Sequence, residues 1–104
     1  MAYGKSIDLD ESTHILPVFD PVLRTFSVQL WKGSQPAGIH GLVENFSHPD
    51  DVLDTIDEFL ERSGVRALTE DEIGKLGGEL IRSKGGPDAA ILELALKHPQ
   101  LFFW

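Results

Sequence analysis

The chain has 104 residues, a formal charge of −8 at pH 7 and no cysteine. This length suits one domain, residues 1–104, with a single hydrophobic core, and the lack of cysteine excludes disulfides and thiolate metal sites. The negative charge disfavours nucleic acid and anionic membranes as partners and favours a basic protein.

Residues 1–10 alternate polar and apolar side chains and lack the apolar core of a signal peptide. No stretch approaches the roughly 20 apolar residues that cross a bilayer. We therefore expect a cytoplasmic protein.

The first half of the sequence predicts strands. Ser6–Leu9 alternates apolar and polar residues, and His14–Phe19 is mostly apolar. Pro17 cannot donate to a ladder, so it predicts that the second of these strands lies at a sheet edge. Arg24–Lys32 alternates most regularly, and Ala37–Phe46 is predicted to return as its partner.

The two faces of the Arg24–Lys32 strand differ in polarity. Phe26, Val28 and Leu30 share the apolar face, while Trp31 shares the polar face with Thr25, Ser27 and Gln29. An exposed Trp31 would be an interface anchor, unless the N-terminal segment covers it. In the partner strand, Gly38 and Gly41 predict a bulge or a close backbone approach.

Asp50–Arg62 predicts an amphipathic helix, because its apolar residues recur with the helical period. Ser47 is the predicted N-cap, with Pro49 in the first turn and Asp50 at the capping-box position. Gly64 is predicted to end the helix in a left-handed conformation.

Two more helices are predicted after it. Thr69–Glu72 is a full capping box for the second, and Gly77 within that helix predicts close packing of another element. Asp88–Lys97 predicts a third helix, and Leu101–Trp104 forms an apolar tail. The order of the predicted elements, strands first and helices after them, predicts an α+β fold. In this fold an antiparallel meander of three or four strands packs against three helices.

A run of carboxylates without Lys or Arg begins near the first predicted helix. Its members are Glu44, Asp50, Asp51, Asp54, Asp57, Glu58 and Glu61. The six from Asp50 onward fall within about 120° on a helical wheel, opposite the apolar stripe. Like charges four residues apart destabilise a helix, so this pattern favours either a solvated face or a docking face for a basic partner.

No complete catalytic or metal-binding motif is present. His48 lies near Asp50 and Asp51 but lacks the i and i+4 partner of a helical metal site. His40 could form an acid–base pair only if the fold brings a carboxylate or a hydroxyl to it. We therefore predict no metal and no cofactor.

The chain resembles the small acidic immunity proteins of bacterial toxin–immunity systems, including those of contact-dependent growth inhibition. The resemblance rests on the carboxylate face from Asp50 to Glu61, the Thr69–Glu72 turn and the lack of a complete site. It implies a cytosolic, non-enzymatic protein that neutralises a basic toxin domain by covering its active site. The expected partner-binding residues are Asp50, Asp51, Asp54, Asp57, Glu58, Glu61, Glu70, Asp71 and Trp31.

Two other interpretations stay open at this point. One is a structural or regulatory subunit that binds its partner through Leu101–Trp104 and Trp31. The other is a small enzyme that uses His40 or His48 with a carboxylate.

Overall fold

The computed structural model describes residues 1–85, which form five strands followed by two helices. The strands are β1 (Ala2–Tyr3), β2 (Ile7–Asp8), β3 (Thr13–Asp20), β4 (Thr25–Lys32) and β5 (Gln35–His40). The helices are α1 (Pro49–Arg62) and α2 (Glu70–Lys84). The α+β class is therefore confirmed, with more strands than the three or four predicted. The predicted helix 88–97 and the tail 101–104 lie outside the described residues.

The sheet is antiparallel, with the order β1-β3-β4-β5, and β2 pairs with β3 beside β1. Alternate residues of β4 are buried, with Phe26, Val28 and Leu30 on the inner face, as predicted. Both helices cover that face, α1 over β4 and β5 and α2 mainly over β3. The core lies between the two layers and consists of Ile7, Leu9, Ile15, Phe19, Phe26, Val28, Leu30, Val52, Ile56, Leu60, Leu68, Leu76 and Leu80.

Strand β3 lies inside the sheet, so the prediction that Pro17 places it at an edge is wrong. The Pro17 carbonyl accepts a hydrogen bond from Gly4 N at 3.0 Å, which means that its backbone faces residues 4–6. Those residues are the break between β1 and β2. Pro17 is tolerated because its missing N–H faces a gap where the neighbouring strand is already interrupted.

Strand β5 is shorter than the predicted Ala37–Phe46, since it begins at Gln35 and ends at His40. Gly41 ends it with a φ of 103°, and a Cβ there would lie 2.8 Å from the Phe26 carbonyl oxygen. The predicted irregularity is present, because the β4–β5 register shifts between Leu30 and Trp31. Phe46 returns to the sheet only as an isolated bridge to Phe26.

The N-cap of helix α1 lies one residue later than predicted. His48 is the N-cap and makes no side-chain capping bond, so the expected roles of Ser47 and Asp50 in capping are wrong. Pro49 occupies the first turn, as predicted, because proline supplies the helical φ and this position needs no N–H donor. The helix ends as predicted, with Gly64 at a φ of 75°.

Helix α2 begins with the predicted capping box. The Thr69 hydroxyl accepts a bond from Glu72 N at 3.2 Å, and the Glu72 carboxylate accepts one from Thr69 N at 2.9 Å. Gly77 marks the close approach of the helices, because a Cβ there would lie 3.3 Å from Leu53 Cδ1. No helix within residues 1–85 is long and apolar enough to cross a membrane.

Candidate functional site

The outer surface of α1 carries an exposed row of carboxylates, which we call the acidic face. Its members are Asp50, Asp51, Asp54, Glu58 and Glu61. The face is exposed because Val52, Ile56 and Leu60, on the opposite side of the helix, are completely buried against the sheet. Packing of the apolar stripe thus fixes the direction in which these side chains extend.

The acidic face has no cationic partner in the described part of the chain. Within residues 1–85, no Lys, Arg or His nitrogen lies within 4.0 Å of its carboxylate oxygens. Lys32 Nζ instead donates to the Ser63 carbonyl oxygen at 2.9 Å, just beyond the end of the helix. The repulsion among these carboxylates is therefore not relieved by ion pairs within the described residues.

Asp57 differs from the other predicted carboxylates of α1. It is half-buried, and its Oδ1 accepts a hydrogen bond from Leu68 N at 3.0 Å. This bond fixes the connection between the helices, where Leu68 enters the core. Asp57 therefore has a structural role, and it is not counted in the acidic face.

Glu70 and Asp71 are exposed in the first turn of α2. They line a groove along α2 together with Lys75 and Arg82, so the charges there are mixed. These two predicted residues share no ion pair or hydrogen bond with the acidic face.

Trp31 lies on the outer face of the sheet, opposite the helices, and is half-buried. Its ring stacks on His14 from the neighbouring strand, with centroids 6.0 Å apart and planes 4° apart. Its Nε1 donates to Gln29 Oε1 at 3.1 Å. The fold therefore separates Trp31 from the acidic face, and the two do not form one continuous surface.

His40 lies at the contact between β5 and α1 and is only 3% exposed. Its Nε2 lies 2.8 Å from Thr55 Oγ1, and its Nδ1 lies 3.9 Å from Glu44 Oε2. The Thr55 hydroxyl donates to the Asp51 carbonyl oxygen, so it can accept the hydrogen of Nε2–H. Burial lowers the pKa of His40 below its ordinary 6.5, although the Glu44 carboxylate opposes that shift.

The Thr55 hydroxyl, the His40 imidazole and the Glu44 carboxylate lie in the same order as the catalytic groups of some hydrolases. Here, however, the ring packs against Phe46 and Phe59, with centroids 4.9 and 5.0 Å away. Because the ring is buried and Nε2 is already bonded, a substrate could reach it only by displacing these side chains. The arrangement suits a structural link between β5 and α1.

The other predicted acid–base candidate is His48, which is exposed at the N-cap of α1. It makes no ion pair with Asp50 or Asp51. In the region that the structure describes, residues 1–85, no three His, Asp or Glu side chains converge closely enough to hold a metal ion.

One polar cluster was not predicted from the sequence. The Arg66 guanidinium bonds both oxygens of Glu72, at 2.7 and 2.9 Å, and also the Leu9 carbonyl oxygen at 2.8 Å. This contact lowers the pKa of Glu72 to about 2, well below its usual 4.5. The capping box identified Glu72 in advance, but nothing local to Arg66 indicates that it would reach Leu9, the residue that follows β2.

Comparisons of the chain with protein-family models, with curated proteins and with solved structures found no significant match.

Proposed function

We propose that this protein is a non-enzymatic inhibitor of a basic protein, most concretely an immunity protein that covers the active site of a toxin nuclease domain. The observation that carries the proposal is the acidic face of α1. Five exposed carboxylates lie on one helical surface with no Lys, Arg or His nitrogen from residues 1–85 within 4.0 Å of them.

Electrostatics explains why such a surface suits inhibition of a nuclease. A nuclease that binds phosphate backbones has a basic active-site cleft, because phosphates are neutralised by Lys and Arg. A rigid row of carboxylates can occupy that cleft in place of the phosphates. It also speeds association, since complementary potentials steer the two proteins together before contact.

The proposal is tested with the C-terminal domain of the protein whose gene lies directly upstream of this one. The reason for this choice is that an immunity gene normally lies directly downstream of its toxin gene. Association rates are measured by stopped flow at about 50 and about 300 mM salt, where screening differs strongly. We expect the association rate to fall at least about tenfold at the higher salt. Absence of binding, or binding that is insensitive to salt, would contradict the proposal.

Charge reversal locates the interface. We expect Asp54→Lys with Glu58→Lys to slow association at least about tenfold, since both side chains lie at the centre of the acidic face. Asp57 is left intact because its carboxylate bonds Leu68 N. The matched control is Asp8→Lys with Glu11→Lys, which changes net charge equally at two other exposed positions. Equal slowing by both pairs would mean that net charge, and not the acidic face, guides association.

A further inference from the structure

Strand β5 lies at one edge of the sheet, and we call the unpaired side of Gln35–His40 the open edge. In the order β1-β3-β4-β5 it is the last strand, so among residues 1–85 only β4 pairs with it. Four of its six residues are exposed: Gln35, Pro36, Ala37 and Ile39. An exposed edge strand presents unpaired backbone donors and acceptors, which pair with an extended segment of another chain.

The hydrogen bonds of β4 show which backbone groups of β5 face outward. Phe26 N donates to the Phe46 carbonyl oxygen, so the backbone of Phe26 faces the β5 side of the strand. Because these groups alternate along an antiparallel strand, Val28 also faces β5 and bonds its partner His40. The N–H and C=O of Ile39, the residue before His40, therefore point away from β4. Neither group has a hydrogen-bond partner among residues 1–85.

The rest of the open edge is better protected than Ile39. The next donor along the chain, Gly41 N, bonds Glu44 Oε2 at 2.8 Å. Pro36 protects the start of the strand, because proline has no N–H to offer. Residues 33–43 contain no Asp, Glu, Lys or Arg, although charged side chains commonly protect an exposed edge. The part of the edge around Ile39 is therefore left open.

The open edge lies beside one flank of α1. Thr55 Oγ1 lies 2.8 Å from His40 Nε2, and the Phe59 ring lies 5.0 Å from the His40 ring, centroid to centroid. On the helix surface Thr55 has two exposed neighbours, Asp51 four residues before it and Glu58 three residues after it. Two members of the acidic face therefore border the flank that contacts β5.

The two ends of the open edge differ in charge. Where β5 ends, the Glu44 side chain is 38% exposed, and Asp51 lies in the first turn of α1 above it. Where β5 begins, the charges are positive, because Lys32 pairs with Gln35 and Arg62 lies in the last turn of α1. All strand pairs among residues 1–85 are antiparallel, so a strand added in the same way would begin at the acidic end.

We propose that the open edge adds a strand from the basic protein that the acidic face engages, an inference that rests on the proposed function. The added segment runs antiparallel to β5, and its first residues include a Lys or Arg that lies against Asp51 and Glu44. Backbone pairing at Ile39 supplies affinity whatever the sequence of the segment, whereas the carboxylates select a basic one.

Hydrogen exchange of the Ile39 amide tests the pairing directly. The wild-type chain is measured alone and in complex with the upstream-encoded domain. We expect the Ile39 amide to exchange rapidly in the free chain and at least about tenfold more slowly in the complex, because a paired N–H exchanges only when the pairing opens.

Substitution of Ile39 gives an independent test. Ile39→Pro removes the outward N–H without removing a bond to β4, and we expect it to raise the dissociation constant at least about tenfold. The matched control Ile39→Thr keeps the N–H and the β-branched shape, and it should stay within about threefold of the wild type. Circular dichroism checks the fold of both variants. If Ile39→Pro does not fold, amide exchange in the wild-type chain decides.

Each other outcome contradicts a specific statement. An Ile39 amide that exchanges equally fast in the free chain and in a salt-sensitive complex would overturn the role of the open edge and leave the proposed function intact. Failure of the wild-type chain to bind would overturn both. An Ile39 amide that is already protected in the free chain would assign the edge to a second copy if light scattering shows a dimer, and to a segment of this chain if it shows a monomer. Either assignment would overturn the inference.

Discussion

The two helices have similar lengths and cover the same face of the sheet, but they use their carboxylates differently. In α2, Glu72 bonds Arg66 and the backbone of Thr69, and Glu79 bonds Arg82 at 2.6 Å and Lys5 N at 2.8 Å. In α1, the acidic face makes no ion pair with residues 1–85.

The difference separates charges that stabilise the fold from charges that do not. Carboxylates at i and i+4 on α1 repel one another, and each such pair costs a few tenths of a kcal/mol. The fold of residues 1–85 does not offset that cost with ion pairs, whereas it pairs Glu72 and Glu79 of α2. The acidic face carries the functional proposal, whereas Glu70 and Asp71 at the start of α2 share a groove of mixed charge with Lys75 and Arg82.

We expect the largest change in the free energy of unfolding when a carboxylate that has an ion-pair partner is removed. We expect Glu72→Ala to lower the free energy of unfolding by about 2 kcal/mol, because it removes the capping bond to Thr69 N and leaves the Arg66 bonds unmade. Glu58→Ala, the matched change in the acidic face, should alter it by less than about 0.5 kcal/mol. Urea unfolding of both variants measures the contrast, and equal losses would remove the distinction between the helices.

Acid titration sharpens the same contrast. The folded-state pKa of Glu72 is about 2, below its usual 4.5, so unfolding takes up a proton between these values. The contribution of Glu72 is complete above about pH 4.5 and is lost as the pH falls toward 2. We expect Glu72→Ala to flatten the curve of unfolding free energy against pH in this window. An unchanged slope in Glu72→Ala would contradict the Arg66 contact.

The features of the fold that the sequence predicts correctly are those that depend on residues close together in the chain. The Thr69–Glu72 capping box, the Gly64 terminus and the alternation of β4 involve neighbouring residues only, and all three are confirmed. Pro17 was misplaced because its tolerance depends on the break between β1 and β2, which pair with β3 from elsewhere in the chain. Strand order cannot be derived from a local pattern.

The site shows the same limit. Helical periodicity predicted six carboxylates on the outer surface of α1, and five of them are exposed there. It could not separate Asp57 from them, because the partner of Asp57 is a backbone N–H eleven residues away. The exposure of Leu42 and Val43 was also not predicted, since both fall within the expected strand Ala37–Phe46, which in fact ends at His40.

Asp57 provides the next test, because it is the exception within α1. We expect Asp57→Ala to lower the free energy of unfolding by about 1 kcal/mol, since it leaves Leu68 N without its partner at the entry of Leu68 into the core. Asp54→Ala, one turn earlier and exposed, is the control and should be close to neutral. Thermal or urea unfolding that shows equal effects would place Asp57 back in the acidic face.

A smaller effect is expected from the glycines of α2. A Cβ on Gly74 would contact nothing within 4 Å, so Gly74→Ala should raise the free energy of unfolding by about 0.5 to 1 kcal/mol through helix propensity. Gly77→Ala should give less, because its Cβ would press on Leu53 Cδ1 at 3.3 Å. Calorimetry ranks the two variants, and a greater gain for Gly77→Ala would contradict the helix contact.

The smallest expected effect concerns His40, which contacts the side of α1 away from the acidic face. Burial lowers its pKa, Glu44 raises it and Arg62 lowers it, so the net direction is down from 6.5. The unfolded chain then binds the proton more readily, and stability declines as the pH falls below about 6.5. We expect His40→Gln to flatten this decline, because glutamine does not titrate, and urea unfolding of the variant and the wild type over a series of pH values measures the difference. If His40→Gln instead kept the decline in full, groups other than His40 would cause it, and the burial of His40 between β5 and α1 would not be the origin of this pH dependence.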